Sequence, residues 1–285
     1  MAVTGEAKEI TLQHKGITLN AELDIIEGKE RAENIILITH GALAHRDMET
    51  LIHFRELLKK FGYSTLSINL SLGIENRHGM FDCEKKHQHR NDDAIEEIDA
   101  WVHWLKAEGT INITLLGHSR GGTQTALYVS ERDSVLISSI VLLAPATAEN
   151  TSAVTYIKRY KKPLAPVLNK AKQLVKAGNG HHSLGKVNLM RCRDTEITAE
   201  SFVSYYAAPF RVDSPGLLRK VKKPVLVIVA GNDGIVIGLD KKVANLIDGK
   251  KFQVSVIDDA DHLFRDLYVD DAVDVIHEFL SNQRF

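Results

Sequence analysis

The stretch INITLLGHSRGGTQTALYVSE, residues 111–131, decides how the rest of the chain is read. Ile111 to Leu116 is a short run of the kind that forms a strand buried in a parallel sheet, and Gly121 to Glu131 reads as the helix that follows. Between them Gly117-His118-Ser119-Arg120-Gly121 fits G-x-S-x-G. A turn sharp enough to join strand to helix there holds Ser119 in a strained backbone conformation. Side chains two residues to either side would collide, which accounts for Gly117 and Gly121. Gly122 permits further close packing of the helix. The turn lifts the Ser119 hydroxyl clear of the sheet at a helix N-terminus, where amide N–H groups favour an anion. His118 adjoins that serine but points away in such a turn, as a packed structural residue.

Working outward, strand and helix patterns alternate. Glu9 to His14 and Ile17 to Ile25 form a starting hairpin around Lys15-Gly16. Ile35 to Thr39 is an apolar strand ending in His40-Gly41, and Leu51, Phe54, Leu58 and Phe61 mark a helix closed by Gly62. Ser64 to Leu70 is the next strand, followed by a polar loop from Ser71 to Arg90. Asp92-Asp93 open a helix with the stripe Ile95, Ile98, Trp101, Val102 and Leu105. Downstream, Ile137 to Leu143 is a strand. The pattern breaks at Pro145 and resumes at Pro224 with strand Val225 to Ala230, helix Lys241 to Ile247, strand Phe252 to Ile257 and a closing helix Leu263 to Leu280. Connections of this length predict right-handed βαβ units: an α/β fold, a mostly parallel twisted sheet with helices on both faces.

The interruption predicts an insertion. We place the core at residues 1–145 and 219–285 and an inserted, helical, basic cap at 146–218. Its stripe Leu164, Val167, Leu168, Ala171, Leu174 and Val175 needs an apolar surface to cover. From Ala146 to Lys223 there are 15 Lys and Arg against 5 Asp and Glu, so this segment carries +10 while the rest carries −11. Such asymmetry fits three readings: steering of an anionic substrate, a basic amphipathic helix at an anionic membrane surface, or a solvated face that keeps the cap soluble.

The whole chain of 285 residues has a formal charge of −1 and 44% apolar content, which gives no global pull toward nucleic acid or membrane. No apolar run approaches the ~18–20 residues of a membrane span. Met1 to Lys8 carries charges of both signs and no apolar core, so no secretory signal is expected there. Cys83 and Cys192 are too few for a disulfide framework and fit a reducing compartment. These features together predict a cytoplasmic protein.

A serine hydroxyl needs a base to take its proton and an acid to orient that base. Ala230-Gly231-Asn232-Asp233-Gly234 follows one strand and Asp261-His262 the next, which places Asp233 and His262 past the C-terminal ends of strands, where open α/β sheets put their chemistry. Serine, acid and base then run in the order Ser119, Asp233, His262. Asp258, Asp259 and Asp266 lie nearer His262 in sequence and read as solvated carboxylates; Asp240 is a weaker alternative acid. Of the thirteen histidines, His181 and His182 fall in a Gly-rich stretch of the cap that reads as a loop.

With His40-Gly41, Gly117 to Gly121, Gly231-Asn232-Asp233 and Asp261-His262 each at its place in the strand order, the chain resembles the α/β-hydrolase superfamily over residues 9–70, 92–145 and 224–283. The resemblance implies Asp233 as the acid. It also implies an oxyanion hole from the Arg120 backbone N–H and, by likeness to the family's His-Gly-x turn, that of Ala42, with Leu43 as the alternative. It is closest in kind to serine esterases, lipases and thioesterases with an inserted cap. Ser119 argues against the dehalogenases and epoxide hydrolases of this superfamily, which use an aspartate there.

Two departures remain. His78, Cys83, His87 and His89 are all possible zinc ligands, but their spacing matches no structural zinc pattern, so neither metal nor any other cofactor is expected. Instead Arg77, His78, His87 and His89 are expected to line the substrate entrance; a plain solvated loop is the alternative. The expected function is hydrolysis of a carboxylic ester or thioester, on a small acyl substrate that is anionic if the cap steers it. The alternatives are a small peptidase or amidase, an acyltransferase, and a catalytically silent ligand-binding module. Neither nucleic acid nor a transmembrane segment is expected; peripheral membrane contact through the cap is the remaining partner reading.

Overall fold

A computed structural model describes residues 7–29, 31–132 and 134–283. Most of the stretch that bears on a secretory signal, residues 1–6, lies outside them. The chain opens with β1 (Lys8–His14) and β2 (Ile17–Asp24), paired antiparallel. Lys15 and Gly16 both take positive φ, 48° and 79°, as a two-residue hairpin turn with the twist of the strands requires. Then come β3 (Asn34–Thr39), α1 (Glu49–Lys60), β4 (Ser64–Asn69), α2 (Asp93–Ala107), β5 (Asn112–His118), α3 (Arg120–Glu131) and β6 (Ile137–Leu143). After the insertion follow β9 (Val225–Ala230), α8 (Leu239–Val243), β10 (Phe252–Ile257) and α9 (Tyr268–Ser281).

Eight strands form one sheet in the order β1-β2-β4-β3-β5-β6-β9-β10, parallel from β4 to β10 with an antiparallel hairpin at one edge. The apolar run of β3 shows why the sheet needs helices on both faces. Successive side chains point to opposite sides: Ile35 and Leu37 join one core with Trp101 of α2 and Leu127 of α3, while Ile36 and Ile38 join another with Phe54 of α1 and Ile276 of α9. Each such fully buried side chain contributes about 1.5–3 kcal/mol, so leaving either face bare would be costly. The C-terminal ends of β3, β5, β9 and β10 meet at one edge of the sheet, and the chemistry-bearing turns lie there.

Two expected helices are shorter than read. The one after β9 ends at Val243 and passes into a 3-10 turn, Ala244–Leu246. The closing helix starts at Tyr268, because Phe264 and Asp266 take φ of 50° and 56° and cannot continue a helix.

The segment between β6 and β9 holds α4 (Ala153–Tyr160), α5 (Leu164–Lys176), an antiparallel ribbon of β7 (Ser183–Leu189) and β8 (Cys192–Thr198), α6 (Ala199–Tyr206) and α7 (Ser214–Leu218). The stripe on α5 packs against α6, burying Leu164 and Ala171 and half-burying Val167, Leu168 and Leu174. The ribbon was not legible: SLGKVNL and CRDTEIT are polar and lack strict alternation, and the turn uses Met190 at φ 51° instead of Asn-Gly.

Cys83 and Cys192 are disulfide-bonded across 109 residues, which corrects the reading of the cysteines. The bond ties the 71–90 loop to the start of β8, and the loop runs on beside that strand: His87 N–H donates to Glu196 O at 2.7 Å and Thr198 N–H to His87 O at 3.1 Å. The cysteines therefore lend no support to a reducing cytoplasm. Among the described residues no helix is long and apolar enough to cross a membrane.

Candidate active site

Ser119 sits between β5 and α3 at φ 55°, ψ −120°, a conformation L-residues rarely adopt. Its neighbours explain how it is held there. A Cβ on Gly121 would lie 2.3 Å from His40 O and 2.5 Å from Thr39 O, and one on Gly117 2.6 Å from Gly122 Cα. Only glycines let α3 come this close to β3 and β5. Ser119 N–H donates to Leu143 O at 2.8 Å, tying the turn to β6.

His262, in the loop after β10, reaches Ser119 Oγ through Nε2 at 2.8 Å and Asp233 Oδ2 through Nδ1 at 2.7 Å. An ionised carboxylate only accepts, so Nδ1 carries the proton and donates it to Asp233, leaving Nε2 to accept from the hydroxyl. Asp233 is itself fixed: its Oδ1 accepts from the N–H groups of Ile235 at 2.7 Å and Val236 at 2.8 Å. Burial pushes the Asp233 carboxyl up, but the hydrogen bond and charge of His262 and these two N–H groups hold it below its usual value. Among the described residues no other carboxylate pairs with His262. Asp261, the neighbour in sequence, instead accepts from Leu263 N–H at 2.9 Å.

His118 bonds to neither Ser119 Oγ nor Asp233; it borders the cavity and donates Nε2–H to His262 O at 2.8 Å. Burial, then the charge of His262, lowers it to about 4, so it serves as a neutral pin on the backbone that presents His262. Gly41 packs against Ser119: a Cβ there would come within 3.3 Å of Ser119 Cβ. Ala42 lines the cavity above Ser119, whereas Leu43, at φ 57°, is buried in the core. Arg120 is the first residue of α3, so its N–H has no carbonyl behind it within the helix.

The four residues expected at the substrate entrance are not there. Arg77 is buried beneath the loop that follows β3, donating Nε–H to Leu70 O and Nη2–H to Ala44 O, both at 2.8 Å, and to His40 Nε2 at 3.1 Å. It clamps the 40–44 loop from behind, a task that needs several fixed donors and no solvent. His87 and His89 are buried where the loop docks under the cap ribbon, with Tyr205 Oη 2.8 Å from His89 Nδ1. His78 faces Glu9 at 4.0 Å, away from the cavity. The loop turns inward because Cys83 anchors it to Cys192 and its aromatic rings fill the space beneath.

The cavity over Ser119 has a volume of about 410 Å³, and the insertion supplies its far wall: Arg159, Tyr160, Met190, Arg191, Arg193 and Tyr206. Of these, sequence reasoning points only to Arg159, as one of the cap cations Lys158, Arg159, Lys161 and Lys162 that would steer an anionic substrate; for Arg191 and Arg193 the Arg191-Cys192-Arg193 triplet was the available signal. Of the basic run at 158–162, Arg159 alone faces the cavity.

Known structures share this architecture. Est1E from Butyrivibrio proteoclasticus, solved with ferulic acid bound, aligns at TM-score 0.70 and 20% identity over 96% of this chain and 98% of its own. An esterase of Pyrococcus furiosus aligns at 0.66 and 18%, covering 99% and 92%. The esterase domain of a Rhodothermus marinus protein aligns at 0.61 and 16%, covering 97% of each. No curated protein sequence matches the chain. The family model described as serine aminopeptidase, S33, matches residues 30–265, and the chain accordingly belongs to that family of hydrolases, with the α/β-hydrolase fold.

Proposed function

We propose that this hydrolase cleaves a carboxylic ester or thioester through Ser119, His262 and Asp233. The observation that carries the reading is the unbroken hydrogen-bonded line from Asp233 through His262 to Ser119 Oγ, at 2.7 and 2.8 Å, opening on the cavity. Ser119 Oγ attacks the carbonyl carbon as its proton passes to His262 Nε2. The N–H groups of Arg120 and Ala42 hold the oxyanion. Collapse breaks the bond to the leaving oxygen or sulfur, which takes the proton from His262. Water then gives its proton to His262 and attacks the acyl group, and Ser119 leaves with its hydroxyl restored. Asp233 stabilises the imidazolium throughout.

We assign this chemistry to residues 1–145 and 219–285 and recognition of the substrate to 146–218. An aminopeptidase must hold the ammonium of a peptide's free N-terminus, for which a carboxylate is the natural partner. Among the described residues the cavity lining holds four arginines and no acidic residue, which favours an ester over that alternative. Est1E binds ferulic acid, a carboxylic acid, and the Pyrococcus furiosus and Rhodothermus marinus proteins of this fold are esterases, in keeping with an ester substrate.

The test is covalent labelling with a fluorophosphonate probe, paired with turnover of p-nitrophenyl esters of graded length. Wild type should label and turn over, and Ser119→Ala should do neither while keeping its circular dichroism. Equal labelling of the two proteins, or a folded wild type that neither labels nor turns over any ester, would overturn the reading.

A further inference from the structure

Three arginines of the cavity differ from most of those elsewhere in the molecule. Arg55 pairs with Glu22 at 2.8 Å, Arg90 with Asp93 at 2.9 Å, Arg132 with Glu96 and Asp99, and Arg211 with Asp92 and Glu131. Arg159, Arg191 and Arg193 pair with no carboxylate among the described residues. They are exposed, yet they converge on the wall of one cavity from two elements: Arg159 near the end of α4, and Arg191 and Arg193 on either side of the disulfide at Cys192.

Their arrangement is built. Arg159 Nη1–H donates to Met190 O and Arg193 Nη2–H to Arg159 O, both at 2.9 Å. Both guanidinium groups lie over the Tyr160 ring, at 6.0 and 5.7 Å from its centre. One or two donors of each are used in this way, and a guanidinium has five. The fourth arginine of the lining, Arg120, is occupied otherwise: it is buried, sits 5.1 Å from the Tyr205 ring and donates to Asn91 Oδ1. Gathering three like charges around one concavity is unfavourable unless an opposite charge enters it, and low-dielectric walls strengthen that attraction.

We propose that Arg159, Arg191 and Arg193 form a subsite for an anionic group on the substrate, so that the preferred esters carry a carboxylate or similar anion away from the scissile carbonyl. This inference rests on the serine-hydrolase reading above and specifies its substrate class. The tethers of Arg159 and Arg193 reduce the entropy lost on binding, and the planar guanidinium matches a carboxylate or phosphate edge with two parallel hydrogen bonds.

The experiment compares kcat/KM for two matched pairs of substrates. Mono-p-nitrophenyl adipate against p-nitrophenyl hexanoate puts the charge in the acyl part; 4-acetoxybenzoate against its methyl ester puts it in the leaving group. One pair should show at least about a tenfold preference for the charged member, in line with charge-assisted hydrogen bonds, and 1 M salt should reduce it. Arg191→Glu should reverse that preference, and Arg159→Gln and Arg193→Gln should each reduce it, with fluorophosphonate labelling reporting that each variant is folded. Lys170→Gln and Lys172→Gln, on exposed positions of α5 outside the cavity, should leave the ratio as it is. Turnover of the neutral esters with no charged preference in either pair, or a preference that survives Arg191→Glu, would overturn the inference and leave the hydrolase reading standing. Failure of every ester, with Ser119 unlabelled, would sink both.

Discussion

The elbow around Ser119 and the junction between the 71–90 loop and the cap ribbon are both buried, and they are held by different balances of forces. At the elbow the constraints are backbone against backbone: α3 meets β3 and β5 so closely that a single methyl group on Gly121 has no room. Its polar groups are partnered in series, His118 to the backbone of His262, His262 to Asp233, Asp233 to two N–H groups. At the junction a disulfide and a stack of rings share the holding with a few hydrogen bonds, among them His87 N–H to Glu196 O and Thr198 N–H to His87 O. His87 lies 5.0 Å from the Phe81 ring and 5.6 Å from that of Tyr205, and neither of its ring nitrogens has a hydrogen-bond partner among the described residues. A region that must present a reacting group needs fixed dipoles, whereas a region that supports a wall can be filled by shape.

The contrast breaks most visibly at the acid. Asp233→Asn should lower kcat on the order of 10⁴-fold by leaving His262 in the wrong tautomer, while Asp259→Asn and Asp266→Asn change it little. Steady-state kinetics of the three variants decide this, and a larger loss at Asp259 would move the acid elsewhere. Next in size is the backbone fit. Gly121→Ala should destabilise by about 4 kcal/mol in urea unfolding, whereas Gly234→Ala, where a Cβ meets nothing within 4 Å, stays within about 0.5 kcal/mol. Equal midpoints would show that the elbow yields more easily than its contacts imply.

At the junction the larger effect belongs to the disulfide. Cys192→Ser should cost about 3 kcal/mol, because the bond closes a long loop in the unfolded chain. Reductant should lower the wild-type melting temperature similarly and leave the variant alone; two titratable thiols in the purified protein would remove the staple from the comparison. The smallest effect concerns protons. Burial, then the charge of His89, holds His87 at about 3, below its unfolded value of 6.5. The unfolded chain therefore takes up the proton first as pH falls below 6.5, and the stability present above that pH is lost on the way toward 3. His87→Phe should reduce the loss of stability between pH 7 and 5 by about 1–2 kcal/mol, measured as the difference in urea midpoints. Parallel pH profiles for the two proteins would mean that His87 is solvated after all.

How much of this was legible follows the same division. Ser119, Asp233 and His262 stand at the ends of apolar strands, so reading the strands placed all three at one edge of the sheet. The structure brings them within hydrogen-bond distance. The loop misled for a physical reason: Arg77, His87 and His89 look like solvated polar residues in sequence, and each is buried through a partner far along the chain. For Arg77 that partner is the 40–44 loop; for the histidines it is α6 and the ribbon anchored by Cys192. Charge in the cap was visible as composition, but composition does not say which cations face the cavity.

By itself the sequence determined the buried strands, the helices between them and the glycine-lined turn at Ser119, because each depends on sterics and hydrophobic periodicity within about ten residues of chain, whereas the choice of Asp233 over Asp258, Asp259 and Asp266 came from the resemblance to the α/β hydrolases. Only the tertiary structure decided that Cys83 meets Cys192, that Arg77 clamps the 40–44 loop, and that Arg159, Arg191 and Arg193 share one wall. Those outcomes depend on contacts between residues tens to more than a hundred positions apart, where no local pattern records the partner. The same distance separates the cation that lines the cavity from those that merely face solvent.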